Sequence, residues 1–370
     1  LKINNNYNLW WMSLLTEKSH YKSSKIKDCL KLFALEEIII NKKPDKIFLY
    51  FSDQTTVDAI SNLVKNLNIN FTLKKVSPNE NYKHNFKSIF HFIYCKSPNP
   101  IKAIIYLIRN IFVYWPLKKV SKVEWFKKKK SIFFLSYMFH LDPIKFSEGK
   151  YKTGQWGPIT ELLPNLSIKT NWMHHFIPNI LVPNTKIATN FINKLNNNSE
   201  INGVHQFILG HLNIIILFKV ILNYFKILFK FPVILKFKNS FKPSRSKICF
   251  WHLLKKDFVN SIIGPKSIEN LLWIELFDYA FSIIPHQEKG IYLQENQGWE
   301  KAFIMSWKNH KHGKLIGLNN GFVRFWDTRF FEDKRNFEDT SDCKLPSPDF
   351  IILTDKVSWN SYLDSGYPEN

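Results

Sequence analysis

Short apolar runs alternate with segments of helical periodicity along most of this chain, and that alternation constrains the fold more than any other feature. Residues 44–76, "PDKIFLYFSDQTTVDAISNLVKNLNINFTLKKV", read as strand, helix and strand within about thirty residues, the size of a βαβ unit. The strand at 47–51 is continuously apolar, as strands buried on both faces are. "KSIFFLSYMFHLD" and "LSIKTNWMHHF" repeat the signal, and the last third restores it. There a helix, "SIENLLWIELFDYAFSII", precedes a strand at 290–295, followed by a helix at 299–310 and the strands "KLIGLN" and "DFIILT". The pattern predicts an α/β fold, a Rossmann-like doubly wound and mostly parallel sheet over residues 1–368, with helical insertions near 80–125 and 205–245.

Two helical segments are placed by spacing. Ile26, Leu30 and Phe33 fall on one stripe of the first helix. In 207–231, Lys219, Asn223, Lys226 and Lys230 make a narrow polar stripe on an apolar helix that Pro232 should stop. The lysines exclude a conventional membrane span. They leave two readings: a buried helix with one wet face, or a basic helix in a membrane interface.

The net charge of +22 points to an anionic partner or to a lysine-rich composition without further meaning. Zinc-finger spacing and RNA-recognition aromatics are both missing, so nucleic acid fits poorly. The four cysteines lie far apart and form no metal knuckle. The default location is the cytoplasm, with peripheral contact at the inner membrane face through 207–231. The chain begins at Leu1 and ends "SGYPEN", so it reads as a fragment.

In open α/β sheets ligands sit beyond the carboxyl ends of the strands. Glu295 ends its strand there, and "NQGWE" begins a helix whose free N–H groups face the same place. A carboxylate so placed suits a general base. Glu300 lies in the first helical turn, where it serves either the helix end or a ligand. Trp299 stacks on a sugar ring or packs in the core. Tyr137 and His140 end the central strand and face the crevice by the same geometry, whereas His174 and His175 read as core or loop. His310 and His312 read as solvated helix-end residues. Arg324 suits a phosphate or carboxylate, or pairs with Asp327.

"YLQENQGWEKAF", "KLIGLNNGFVRFWDTRFFED", "LPSPDFIIL" and "SGYP", with "WWMSLLTEKS" and "LSYMFHLD" upstream, resemble a family of bacterial surface carbohydrate biosynthesis proteins found with O-antigen and capsule loci. That family is similar to GT-B-type capsule glycosyltransferases and teichoic-acid polymerases. The resemblance implies the N-terminal, acceptor-side half of a two-domain glycosyltransferase, with a donor domain following the "GYP" segment. It implies a nucleotide-sugar donor, a lipid-linked glycan acceptor, and no metal or other cofactor. Glu295 would be the base. Trp299, Glu300, Asp327, Tyr137 and His140 would line the substrate site, and Asn320 and Arg324 would contact acceptor or donor phosphates. Relatives carry a His where this chain has Asn320, and an amide cannot take a proton as imidazole can. A non-catalytic scaffold of polysaccharide assembly is therefore the alternative, with a basic nucleic-acid-binding protein a third.

Overall fold

The computed structural model describes residues 2–4, 7–51, 53–75, 89–121, 123–127, 131–166, 168–198, 202–319, 321, 323, 327–338 and 344–369. The chain forms two compact units: Leu1–Met12, Ile105–Tyr224 and Ile268–Asn370 make one, and Ser13–Ile104 with Phe225–Ser267 the other.

Ten strands are present among the described residues. β1 (Lys2–Asn4) and β2 (Tyr7–Asn8) form a short antiparallel pair. β3 (Lys46–Phe51) and β4 (Asn70–Lys75) lie parallel, joined by the helix Gln54–Asn66. This is the βαβ unit the sequence predicts, but it forms a separate two-stranded sheet in the smaller unit, and its first strand is not buried on both faces, since Phe48 and Tyr50 are exposed. Asp53 caps its helix, accepting from the Thr56 N–H at 3.2 Å. Ala59, Ile60, Leu63 and Val64 of that helix pack with Leu32, Ile39, Ile248 and Leu253. The stripe expected on the helix Lys25–Lys42 is wrong by one face. Leu30 and Phe33 are exposed, while Leu32, Glu36 and Ile39 are buried. Glu36 tolerates that position because Ser246 Oγ and the Lys247 N–H donate to its carboxylate at 2.7 and 2.6 Å.

The larger unit holds a six-stranded, wholly parallel sheet. Its strands are β5 (Ser131–Tyr137), β6 (Lys169–His175), β7 (Gly203–Phe207), β8 (Lys289–Leu293), β9 (Lys314–Asn319) and β10 (Phe350–Leu353). They lie in the order β10-β9-β8-β5-β6-β7. The chain starts at the centre with β5 and steps outward to β7. It then returns beside β5 as β8 and steps outward the other way. This is the doubly wound strand order, and its reversal falls between β5 and β8, which pair Phe133 with Gly290 and Leu135 with Tyr292.

Both faces of the central strand are covered, which is why it can be apolar without alternation. Phe133 meets Phe281 and Trp307, from the helices Pro265–Ile283 and Gly298–Asn309, at ring distances of 5.5 and 5.4 Å. Phe134 faces the other way, onto Trp156 and Trp172. Gly290 is glycine for room: a Cβ there would come 2.6 Å from the Trp307 ring.

Three expectations are corrected. The helix read over 207–231 starts at Ile214, because 203–207 is the edge strand β7. Pro232 does not stop it, since the helix runs on to Ile234. The supposed wet stripe is partly turned inward: Asn223 Nδ2 donates to the buried Glu275 at 2.9 Å, and Lys219 lies 3.9 Å from the same carboxylate. Large apolar side chains share the outward side with exposed Lys226 and Lys230: Phe218 is 67% and Phe229 84% exposed, with Ile214, Leu222 and Val233 beside them. No helix among the described residues is long and apolar enough to cross a membrane.

Candidate active site at the topological switch point

The reversal between β5 and β8 opens the crevice that doubly wound sheets use for ligands. At this reversal the end of β5, at Tyr137, meets the segment from Gln294 to Glu300 through the Gln297 side chain. β8 ends at Leu293, not 295, although the Gln294 N–H still bonds to Leu318 O at 2.9 Å. The chain then turns through Asn296, whose φ of 54° is left-handed, a conformation Asn accepts more readily than most residues. The helix Gly298–Asn309 follows at once. Gly298 is required because a Cβ would stand 2.8 Å from Met12 O.

Glu300 organises this turn. It is fully buried, and its two carboxylate oxygens accept the backbone N–H groups of Glu295, Asn296 and Gln297 at 3.0, 3.1 and 3.0 Å. Those are free donors at a helix start, and the carboxylate satisfies them from inside. Burial is the largest influence on its proton and pushes the pKa up to about 7, while the N–H donors and Lys301 pull the other way. Of the two readings open for Glu300, this geometry is the helix-end one. Glu300→Gln replaces one acceptor oxygen by an NH2 group facing backbone donors. The expected cost is about 2 kcal/mol of stability, read as a lowered urea midpoint at unchanged slope.

Glu295 is half-buried. Its carboxylate accepts a hydrogen bond from the Gln297 side-chain amide. The same amide nitrogen donates to Tyr137 Oη at 3.2 Å, so one side chain links the ends of β5 and β8. Burial holds the Tyr137 hydroxyl well above its usual range, and the charges of Glu295 and Glu300 add to this. Tyr137 is therefore a neutral hydrogen-bonding group. Trp299 lies edge-on to Tyr137, with ring centres 5.8 Å apart, and 4.1 Å from the buried His175. Of its two readings, the structure places Trp299 in core packing. His175 is likewise core, as expected.

Asp327 is buried and holds Arg329 in a bidentate pair at 2.8 and 2.7 Å. Burial opposes the Arg329 charge, but Asp327 and then Glu295 and Glu300 outweigh it. Asp327 thus pairs with a residue two positions on. Arg324 and Asn320 lie outside the described residues. His140 is exposed, three residues beyond β5, with a φ of 53°. The structure gathers Glu295, Glu300, Trp299, Tyr137 and the Asp327–Arg329 pair at this reversal and shows no contact between them and His140 among the described residues.

Sequence reading missed several contributors. In the sequence Gln297 reads only as part of a helix start. Asn296 donates to Tyr367 Oη at 2.8 Å, tying the turn to the "GYP" segment. Asn319, at the end of β9, donates to Tyr362 Oη at 3.0 Å, and the Tyr362 ring packs at a tilt against Tyr367. The signal for Asn319 was available, since it ends a strand as Glu295 nearly does. His312 is also not a solvated helix-end residue: its Nδ1 accepts the Gln287 N–H at 3.1 Å and its ring lies 4.7 Å from Trp307.

Among the described residues no group of three or more His, Cys, Asp or Glu side chains is placed to hold a metal ion. No protein-family model matches the chain, and neither a curated protein nor a solved structure matches it.

Proposed function

We propose that the protein takes part in bacterial surface polysaccharide synthesis as a glycosyltransferase of GT-B type. On this reading the described switch-point crevice is the acceptor side. The observation that carries the proposal is the position of Glu295: a half-buried carboxylate at the strand-order reversal, beside the Asp327–Arg329 pair and held by Gln297. The resemblance of "YLQENQGWEKAF" and its flanking motifs supplies the reaction class.

The chemistry follows from these groups. An acceptor hydroxyl attacks the anomeric carbon of a nucleotide-activated sugar and gives its proton to the Glu295 carboxylate. The new carbon–oxygen bond replaces the bond to the nucleotide diphosphate, which leaves with its electron pair. Tyr137 and Gln297 orient the hydroxyl and the base. The Asp327–Arg329 pair lies close to these groups, and the resemblance gives contact with the phosphates to Asn320 and Arg324.

The acceptor in this proposal is lipid-linked, and the outward face of Ile214–Ile234 suits it. Phe218, Phe225 and Phe229 are exposed next to Lys226 and Lys230, which combines apolar insertion with attraction to anionic head groups. Replacing Phe218 and Phe229 by Glu should weaken sedimentation with vesicles containing anionic lipid at least tenfold. Equal binding by the variant would remove the membrane from the account.

The test of the transferase reading is incorporation of labelled sugar from a panel of nucleotide sugars into lipid-linked glycan in membranes. Incorporation that requires the protein supports it. Binding of glycan without incorporation from any donor supports a non-catalytic module, the reading favoured by Asn320 standing where the family that these motifs resemble has His.

A further inference from the structure

The charge of the chain is not spread evenly along it. Residues 81–123 and 201–256 contain 18 Lys and Arg and no Asp or Glu, so they hold 18 of its net +22 charges. One of these segments contains the helix Ile214–Ile234. The other contains the helix Asn99–Tyr114 and the turn Trp115–Lys119 that follows it.

From Ile105 onward that second helix belongs to the larger unit. Its inner stripe is Leu107, Asn110 and Tyr114, spaced by three and four residues. Leu107 and Asn110 are buried, and the Tyr114 ring lies 6.2 Å from that of Phe176. The outer stripe is apolar too. Ile105, Ile108, Phe112, Val113 and Trp115 are all exposed, Phe112 by 78%. A helix apolar on both sides has two faces to bury, and the fold covers one.

The two segments meet. The turn Trp115–Lys119 packs on the turn Ile208–His211, which leads into the helix Ile214–Ile234. The approach is close, since a Cβ on Gly210 would stand 3.3 Å from Leu117 O. The end of one helix therefore adjoins the start of the other, where Ile214, Ile215 and Phe218 are exposed.

The charges decide what covers these side chains. Lys219 lies 3.9 Å from Glu275, and Arg109 has Glu269 acting on the same two hydroxyls, Tyr106 and Tyr114. Lys118 and Lys119 are exposed, and no carboxylate pairs with either among the described residues. Lys118 Nζ sits 4.1 Å from the centre of the Trp115 ring. A second copy of the chain would set these lysines against their own kind. Nucleic acid would take the lysines and leave the aliphatic side chains in water. An anionic bilayer takes both, with Trp and Lys at the level of the head groups.

We infer that residues 105–119 form a second insertion face, through which, together with the adjoining face of Ile214–Ile234, the larger unit docks on an anionic bilayer. Phe112 and Trp115 enter the boundary between head groups and acyl chains, and Lys118 and Lys119 meet lipid phosphates. The inference rests on the membrane contact proposed for Ile214–Ile234 and extends it to a second helix.

Sedimentation of the full chain with vesicles tests it, using phosphatidylcholine mixed with phosphatidylglycerol and phosphatidylcholine alone. Phe112→Glu should weaken binding to the mixed vesicles at least tenfold, as expected for one inserted aromatic side chain. Lys118→Gln with Lys119→Gln should weaken binding to the mixed vesicles and leave binding to phosphatidylcholine alone unchanged. Phe48→Glu, at an exposed aromatic of the smaller unit, should change neither. Unchanged urea midpoints in these variants separate lost binding from lost folding. Full binding by Phe112→Glu, beside loss in the Phe218 and Phe229 variant, overturns the inference and leaves the contact through Ile214–Ile234 standing. No binding by the unaltered chain removes both. A dimer in lipid-free solution that Phe112→Glu dissociates would give the face to a second copy and overturn the assignment. Binding to duplex DNA in preference to the mixed vesicles, lost in the lysine variant, would overturn it in favour of nucleic acid.

Discussion

Between pH 7.5 and 5.5 the larger unit is expected to lose about 5 kcal/mol of stability, enough to unfold a typical domain. Five histidines drive this. Burial pushes His175 and His205 down to about 3 and His211 and His312 down to about 4, and His174 is lowered too, by burial and then by its two neighbouring histidines. Each is held neutral in the fold and protonates near pH 6.5 once unfolded. The unfolded chain therefore takes up more protons as pH falls, and the stability these groups contribute is present above pH 6.5 and lost below it. Five such groups cost about 7 kcal/mol by pH 5.5. Glu300 acts in the opposite sense. Its folded pKa is raised to about 7, so the folded state holds a proton the unfolded state releases, returning about 2 kcal/mol over the same interval. Urea unfolding at half-unit pH steps should show the net fall. A midpoint that does not move between pH 7.5 and 5.5 would mean the histidines are not buried as described.

Glu295→Gln should lower kcat for glycosyl transfer by 10² to 10⁴, the usual worth of a positioned general base, or about 3–5 kcal/mol of barrier. The substitution is nearly isosteric, and the Glu295 backbone N–H bond to Glu300 does not involve its side chain. Stability should therefore change little. KM for the acceptor should move less than kcat, since the proton is taken up only in the transition state. A variant with full turnover would reassign the base.

The centre of the sheet was legible because β5 is buried on both faces and reads as a nearly unbroken apolar run. "KLIGLN" matches β9 residue for residue. The strand β7 was not legible because "GVHQF" carries His205 and Gln206. Their burial depends on partners far off in sequence, such as His174, 31 residues away. The stripe on Lys25–Lys42 failed for a related reason: spacing gives a helix its period but not which side meets the core, and Glu36 rather than Phe33 is buried. At the site, Glu295 was legible from strand-end geometry alone. The ties that hold it were not. Tyr367 meets Asn296 across 71 residues and Gln297 meets Tyr137 across 160, and no local pattern announces either. Glu300 needed three-dimensional burial to separate its two readings, since a first-turn carboxylate looks the same in sequence whether it faces a ligand or its own loop.

The most direct test of the central claim is amide hydrogen exchange with and without the glycan acceptor of the transfer assay. If the switch-point crevice is the acceptor site, slowed exchange should concentrate at 137–141, 294–300 and 327–330, with 145–163 unchanged. Protection confined to 145–163, or absent from 294–300, would contradict it.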